Sequence, residues 1–325
     1  MSQPRASFLG LLGFLLSAIV CAQDPAILVG GVGLMEFPQR GEAPVTRMLS
    51  TGAEPKRELR YNFTAGETHR VAMVLRMSMR FEMNGRTAPA PQLPDVRFVF
   101  VVKVTEANDS HIRYEFSSDR EPQLLNSEGT PPAVLEELRK ANAVLSTMKG
   151  AGAMTNRGIP TAFGIDVGPG VDPGAARLLQ SLRRSMEQMY APLPAEAVGP
   201  GARWLLLQRT PSSVVASLGM DMYQAATYSL LGVEGSTVSM EVEVDQLAPR
   251  QEMTESDKPW GAKMELLGMR SQGRVRLKTD LRSTEVSIAG SVESRMTMRM
   301  QEQGKSFYMG SEVRTQVWIE PDKPR

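Results

Sequence analysis

The chain has 325 residues, 42% of them apolar and 22% charged, with 37 Lys and Arg against 36 Asp and Glu. That length supplies a sizeable core in one large domain or two smaller ones, and the even charge balance excludes the electrostatic footprint expected of a nucleic-acid binder. Cys21 is the only cysteine, which excludes intrachain disulfides and clustered thiolate metal sites.

The first 22 residues read as a targeting segment. Arg5 supplies the positive region and Phe8 to Val20 the apolar one, which is short for a membrane span. Val20-Cys21-Ala22 offers small residues before a cut at Gln23. Removing Arg5 from the 37 basic residues balances the 36 acidic ones. No later stretch approaches the roughly 18 apolar residues of a spanning helix. The expected location is therefore periplasmic or secreted. The alternative is lipid anchoring through Cys21, although Ala18-Ile19-Val20 departs from a Leu-Ala-Gly type lipobox.

Residues 23–58 read as a loose lead-in, with Pro25, Pro38, Pro44 and Pro55 and the run Gly30, Gly31, Gly33. Ile27 to Val29 adds a short strand. A single β-rich domain is expected over 59–320. Residues 69–83 alternate, with Met77, Met79, Phe81 and Met83 on one parity and Ser78, Arg80 and Glu82 on the other. Residues 97–105 form the next strand, apolar on both parities and so buried on both faces locally. Asn108-Asp109 marks a turn, and 111–117 is a further strand.

The period then changes. Thr130-Pro131 reads as an N-cap followed by a first-turn proline. Leu135, Leu138, Ala141, Leu145 and Met148 share one helical face, so a helix is expected over 131–149, ended by Gly150. Asp172-Pro173 opens a second expected helix over 173–190, with Ala175, Leu178, Leu179, Leu182, Met186 and Met189 on its apolar face. Residues 151–171 are a strand or extended connection.

After Pro194 the β pattern returns over 203–208, 225–232, 237–245, 262–281, 284–301 and 306–319. In 284–301, Val286, Ile288, Gly290, Val292, Met296, Met298 and Met300 share one parity, while Glu285, Glu293, Arg295, Thr297 and Arg299 share the other. Eighteen residues at about 3.3 Å each run roughly 60 Å, so a bend or bulge near Gly290 is expected. Gly66-Glu67-Thr68-His69-Arg70-Val71 and Gly201-Ala202-Arg203-Trp204-Leu205 open comparable β blocks, which reads as a faint internal duplication.

An apolar sheet face must be covered. The expected fold is therefore α+β, mainly β: a large curved antiparallel sheet, a half-barrel, with two helices packed on the concave face.

Chemistry-bearing constellations are sparse. His69 and His111 lie 42 positions apart in strand signals, which suits ordinary strand histidines better than zinc or triad chemistry. Ser146-Thr147-Met148-Lys149 matches an S-x-x-K string, but it lies at a helix end with no partner motif. There Lys149 complements the negative helix terminus. Gly168-Pro169-Gly170 with Gly174 superficially suggests a phosphate loop, but the spacing and the proline suit a plain turn. Glu241, Glu243 and Asp245 line one strand face, suited to solvent and to pairing with Arg295 and Arg299 across strands. An enzyme is not expected. The alternative is a hydrolase working through Glu241 and Glu243.

The 21 methionines are the compositional oddity. Many sit on the apolar parity of strands, where an unbranched, polarisable side chain adapts to varied apolar partners. They make either a cavity for an apolar ligand or a methionine-packed core. The expected lining is Met77, Met79, Phe81, Met296, Met298 and Met300. No cofactor and no metal are expected.

Pro192-Leu193-Pro194, Ala197-Val198-Gly199-Pro200-Gly201 and Trp204 resemble a string in an uncharacterised family of exported bacterial β-rich proteins. Leu59-Arg60-Tyr61, Gly273-Arg274-Val275 and Asp280-Leu281 also resemble that family. The likeness covers most of 55–320. It implies export, sometimes with a lipid anchor, and no activity or functional residue. The expected curved sheet is similar in architecture to periplasmic lipoprotein carriers. The functional expectation is a non-enzymatic exported protein binding a hydrophobic or lipid-like ligand. The alternative is a structural or interaction protein of the cell envelope that docks a protein partner. No nucleic acid and no transmembrane span are expected.

Overall fold

The computed structural model describes residues 27–88, 92–166, 189–212, 218–252, 254–255, 263–302 and 305–322. The expected targeting segment, Cys21 and the glycines at 168–170 lie outside these residues, as does all of the expected second helix except its last two positions.

Strands β1 (Leu28–Val29) and β2 (Val32–Gly33) form a small hairpin. They are followed by β3 (Val45–Ser50), β4 (Thr68–Met83), β5 (Arg86–Ala88), β6 (Asp95–Ala107), β7 (His111–Ser118) and β8 (Gln123–Leu125). The α-helix α1 (Pro132–Ser146) precedes β9 (Lys149–Thr155) and β10 (Pro160–Asp166). The second half holds β11 (Arg203–Ser212), β12 (Leu218–Glu234), β13 (Thr237–Ala248), β14 (Gln251–Glu252), β15 (Thr254–Glu255), β16 (Lys263–Asp280), β17 (Val286–Glu302) and β18 (Lys305–Pro321).

Apart from β1 and β2, every strand joins one sheet, whose main path runs β10-β9-β7-β6-β4-β18-β17-β16-β13-β12-β11-β3. All pairings are antiparallel, so short turns connect most neighbours. The long meander β16-β17-β18 forms the middle of the path. The first half of the chain builds one wing and β11 to β13 the other. Strand β3 crosses to pair with β11, while β4 pairs with β18. The N-terminal and C-terminal strands thereby lock into the sheet's centre and edge.

Directly opposed residues on paired strands share a face. The register therefore gives one continuous interior face: odd residues of β4 and β18, even residues of β17, and even residues of β11 and β13. The opposite face of the long strands carries Arg76, Arg80, Arg270, Arg274, Arg276, Arg295 and Glu312.

The principal core lies at the end of the sheet where both wings meet. It contains Phe98, Phe100, Val102, Ile112, Phe116, Met154, Trp204, Leu206, Leu230, Met240 and Leu277. Two irregular segments, 51–67 and 189–202, fill its centre with Leu59, Tyr61, Phe63, Tyr190, Leu193 and Val198. They also stitch the wings together. Tyr61 N donates to Asn156 O, Asn62 N to Leu281 O, Arg57 N to Val198 O and Leu193 N to Arg157 O. A smaller cluster of Val29, Val32 and Phe37 covers the outward residues Leu205, Leu207 and Ala225, so β11 is buried on both faces.

The expected roof of two helices on the concave face is overturned. One α-helix exists among the described residues, and only Asn142 and Leu145 of α1 are buried. The core cover it was expected to provide comes instead from the two irregular segments, whose backbone groups bond to each other and to the turns at Asn156, Arg157 and Leu281. Met189 and Tyr190, the expected end of the second helix, form a buried bend. The helix that does form is offset from expectation. Pro131 is the N-cap and Pro132 the first helical residue, while the Thr130 hydroxyl caps nothing. The helix stops at Ser146, and Lys149 opens β9 rather than closing the helix.

The expected irregularity near Gly290 is also absent: β17 keeps register through it against both neighbours. A Cβ there would lie 2.6 Å from the Arg274 carbonyl oxygen. Gly290 thus permits close approach of two backbones. Bulges in β16 and β12 fall between Leu266 and Gly268 and between Leu230 and Gly232, where the extra residue bends strands too long to run straight.

The two segments of the faint repeat share one local geometry. Gly66 N donates to Val104 O and Val104 N to Glu67 O; Gly201 N donates to Leu230 O and Leu230 N to Ala202 O. Both glycines have positive φ, 89° and 78°, a conformation that favours glycine.

Candidate functional site

Beyond the principal core the long strands continue, and methionine takes over their interior face. Met298 of β17 lies opposite Met309 of β18 and Leu266 of β16, and Met309 opposite Met83 of β4. Met300 lies between Phe307 and Met264, and Met296 between Ser311 and Met269. Alternation in four neighbouring strands places these side chains in one apolar field.

The field is unevenly covered. Met220, Met222, Ala248, Leu266, Met269, Met296 and Met298 form a closed cluster on the β12 to β17 side. Toward β4 it opens: Met79, Phe81 and Met300 are half-buried, and Met77 and Met83 are exposed at 38% and 54%. The six sequence-predicted lining residues therefore share one face but divide by role. Met296 and Met298 are packed core, while Met77, Met79, Phe81 and Met300 border accessible space.

A cavity lies at the margin of that field. Strands β4 and β6 pair only as far as Leu75 opposite Val96. Beyond it, β4 regains a partner at Phe81, through β5. In the gap lies a cavity of about 370 Å³ lined by Arg76, Met77, Ser78, Met79, Gln92, Leu93, Asp95 and Asn126, a volume within the range of small-ligand sites. Its wall is pinned by Asp95, which is 6% exposed. Arg76 grips it with two bonds, Nε at 2.9 Å and a terminal nitrogen at 2.7 Å, and Asn126 adds a third at 3.0 Å. The Arg76 guanidinium holds the Asp95 carboxyl below the usual carboxylate range, outweighing the opposite effect of burial. Arg76 also lies 5.4 Å from the Trp318 ring centroid.

A row of neutral polar residues crosses the same interior face. Gln208 of β11 lies opposite Gln224 of β12, Gln224 opposite Gln246 of β13, Gln246 opposite Ser271 of β16, and Ser271 opposite Ser294 of β17. The row continues through Val313 to Met79 at the cavity. Gln246 donates to Gln224 at 2.6 Å and Ser271 to Ser294 at 2.8 Å. These positions went unnoticed in the sequence because each is one polar residue in an apolar parity series. The gap at Ser294 between Val292 and Met296 was the available signal.

A larger groove of about 680 Å³ lies on the outward face of β6, β7, β9 and β10, lined in part by Thr68, Lys103, Glu115, Lys149 and Asp166. It is remote from the methionine field. Its charged residues Lys103, Glu115, Lys149 and Asp166 are exposed and make no ion pair with one another.

The remaining sequence candidates resolve into structural roles. Glu241 and Glu243 pair with Arg274, and Asp245 with Arg270 at 3.0 Å. The partners are thus on β16, while Arg295 and Arg299, expected to serve this row, pair with Glu293, Glu312 and Glu265. His69 bonds Glu67 at 2.5 Å, and His111 bonds Glu106 at 2.8 Å. Ser146 donates back to the Ala143 carbonyl of its own helix. Among the described residues no three His, Cys, Asp or Glu side chains converge as a metal site. No helix of the described residues is long and apolar enough to cross a membrane.

No protein family matches the sequence, and neither does any curated relative. Among solved structures, the chain is similar to the crystal structure of the outer membrane protein OprG from Pseudomonas aeruginosa. The two share 5% identity over 80% of this chain and 97% of that one, with a TM-score of 0.22. So slight a likeness bears on neither function nor membrane placement.

Proposed function

We propose that this chain is a non-enzymatic exported protein that holds a hydrophobic or lipid-like ligand against the methionine-lined half of its sheet. The observation that carries the reading is the apolar field whose margin at Met77 and Met83 is exposed, with a cavity beside Met77 and Met79. Apolar side chains bordering open space gain by covering, and methionine adapts to ligands of varied shape. The charged outward face supports a water-exposed rather than a lipid-embedded sheet, because an arginine facing hydrocarbon costs about 2–4 kcal/mol at the membrane midplane. Mass spectrometry of organic extracts from natively purified protein tests the reading. A stoichiometric apolar species is the expected result, and an extract identical to that of a control protein would refute it.

A second reading has its own observation. The side of β4 between Arg76 and Arg80 that faces away from β18 has no partner strand among the described residues. An unpaired strand edge templates pairing with another chain, which suits a cell-envelope interaction protein. In-cell crosslinking from position 78 would yield a discrete partner adduct on this reading and none on the first.

A further inference from the structure

The methionine field is crossed by the polar row described above, and the row has one open end. Gln208, Gln224 and Ser271 are 6%, 5% and 1% exposed. Gln246 donates to Gln224, and Ser271 to Ser294. The side-chain Nε2 of Gln208, equally buried, has no hydrogen-bond partner. Buried amide donors in folded proteins are almost always partnered by protein, water or ligand. An orphan at the end of an otherwise paired row marks where an external acceptor fits.

The row contains no charge. Five adjacent strands contribute two hydroxyls and three carboxamides, while the arginines and carboxylates of the same strands lie on the outward face. A charged headgroup would enter this interior without a counter-ion, at a high desolvation cost. A neutral carbonyl meets the available donor without that cost.

We infer that the polar row is the recognition site for the neutral carbonyl of an acyl ester or amide, with Gln208 as donor and the methionine rows holding the attached chain. This rests on the apolar-ligand reading and adds what that ligand must carry. The far end of the row meets Met79, which lines the cavity at β4.

The test uses 1-N-phenylnaphthylamine as a fluorescent apolar reporter on the full secreted protein. Two competitors of matched length displace it: 1-monopalmitoylglycerol, which has an ester carbonyl, and 1-O-hexadecylglycerol, an ether without one. The ester is expected to compete at about tenfold lower concentration than the ether, as for a site built to bond the missing group. Gln208→Leu, or Gln208→Met should the first fold poorly, is expected to abolish that preference while leaving reporter affinity and melting temperature near wild type. Equal competition by ester and ether in the wild-type protein would overturn the inference and leave apolar binding standing, with water alone as the partner of Gln208. Preference retained in the Gln208 variants would also overturn it. Failure of the reporter to bind at all would remove the apolar-ligand reading, and this inference with it.

Discussion

The indole N–H of Trp204 donates to the carbonyl oxygen of Pro192 across 2.8 Å. Trp204 is fully buried and stacks on Tyr228 at 5.6 Å between centroids. One residue of β11 thus fastens an irregular segment to the sheet interior. Trp204→Phe keeps an aromatic ring but strands the carbonyl, and is expected to cost about 1–3 kcal/mol. Trp204→Ala adds a cavity and is expected to cost about 3–5 kcal/mol. Urea unfolding of the two variants measures the difference. Trp204→Phe as stable as the wild-type protein would show that the hydrogen bond contributes little.

Asp95 makes stability depend on acidity. Its folded-state carboxyl titrates below the unfolded reference of about 3.9. The stabilisation it provides is therefore complete above that reference and lost as pH falls through the folded value. Asp322 adds to this with the same sign: burial pushes its carboxyl up, but bonds from Arg97 and Arg70 and the nearby Arg120 hold it lower. Chemical denaturation at neutral pH and near pH 3 is expected to show a drop in the wild-type protein, and a smaller one in Asp95→Asn, which starts less stable. An unchanged pH dependence in that variant would dismiss the Arg76–Asp95 pair as its source.

The methionines divide into packing and lining, and two substitutions separate these roles. Met298 is 1% exposed, and Met298→Ala is expected to cost about 2–5 kcal/mol. Met77 is 38% exposed, and Met77→Ala is expected to change stability by no more than about 0.5 kcal/mol while weakening apolar reporter binding. A stable Met77→Ala protein with undiminished reporter binding would place the ligand elsewhere.

Glycine at 290 serves closeness of backbones, and Gly290→Ala is expected to cost about 1–3 kcal/mol through overpacking against Arg274 and Val275. Gly232 is the control. A Cβ there meets nothing within 4 Å, so Gly232→Ala is expected to be neutral, or stabilising by about 0.4–1 kcal/mol. Comparison of the two melting temperatures decides the matter.

The long strands were readable in advance because one-sided burial writes a two-residue period into β4, β13, β17 and β18. The same period sets Met77, Met79 and Phe81 on one face of β4 and Met296, Met298 and Met300 on one face of β17. Segments 51–67 and 189–202 have no period, since each residue finds its own partner across the interior. Their role as core was invisible, and the helices were given their task instead. Period alone also cannot distinguish Met298, which is covered, from Met77, which is not: both obey the same alternation, and only distant strands decide which is reached by solvent. Thr130-Pro131-Pro132 misled by one position, because either proline suits a helix start.

Among the described residues, strands β10 and β3 end the main path without pairing to each other. In a closed barrel, strand number and stagger set the girth. Here girth is set at one end by side chains wedged between the wings, and nothing in the backbone ladder prescribes it at the other. On the proposed apolar-ligand reading, a sheet left open at its methionine end suits cargo of unequal thickness, while the packed end fixes the base.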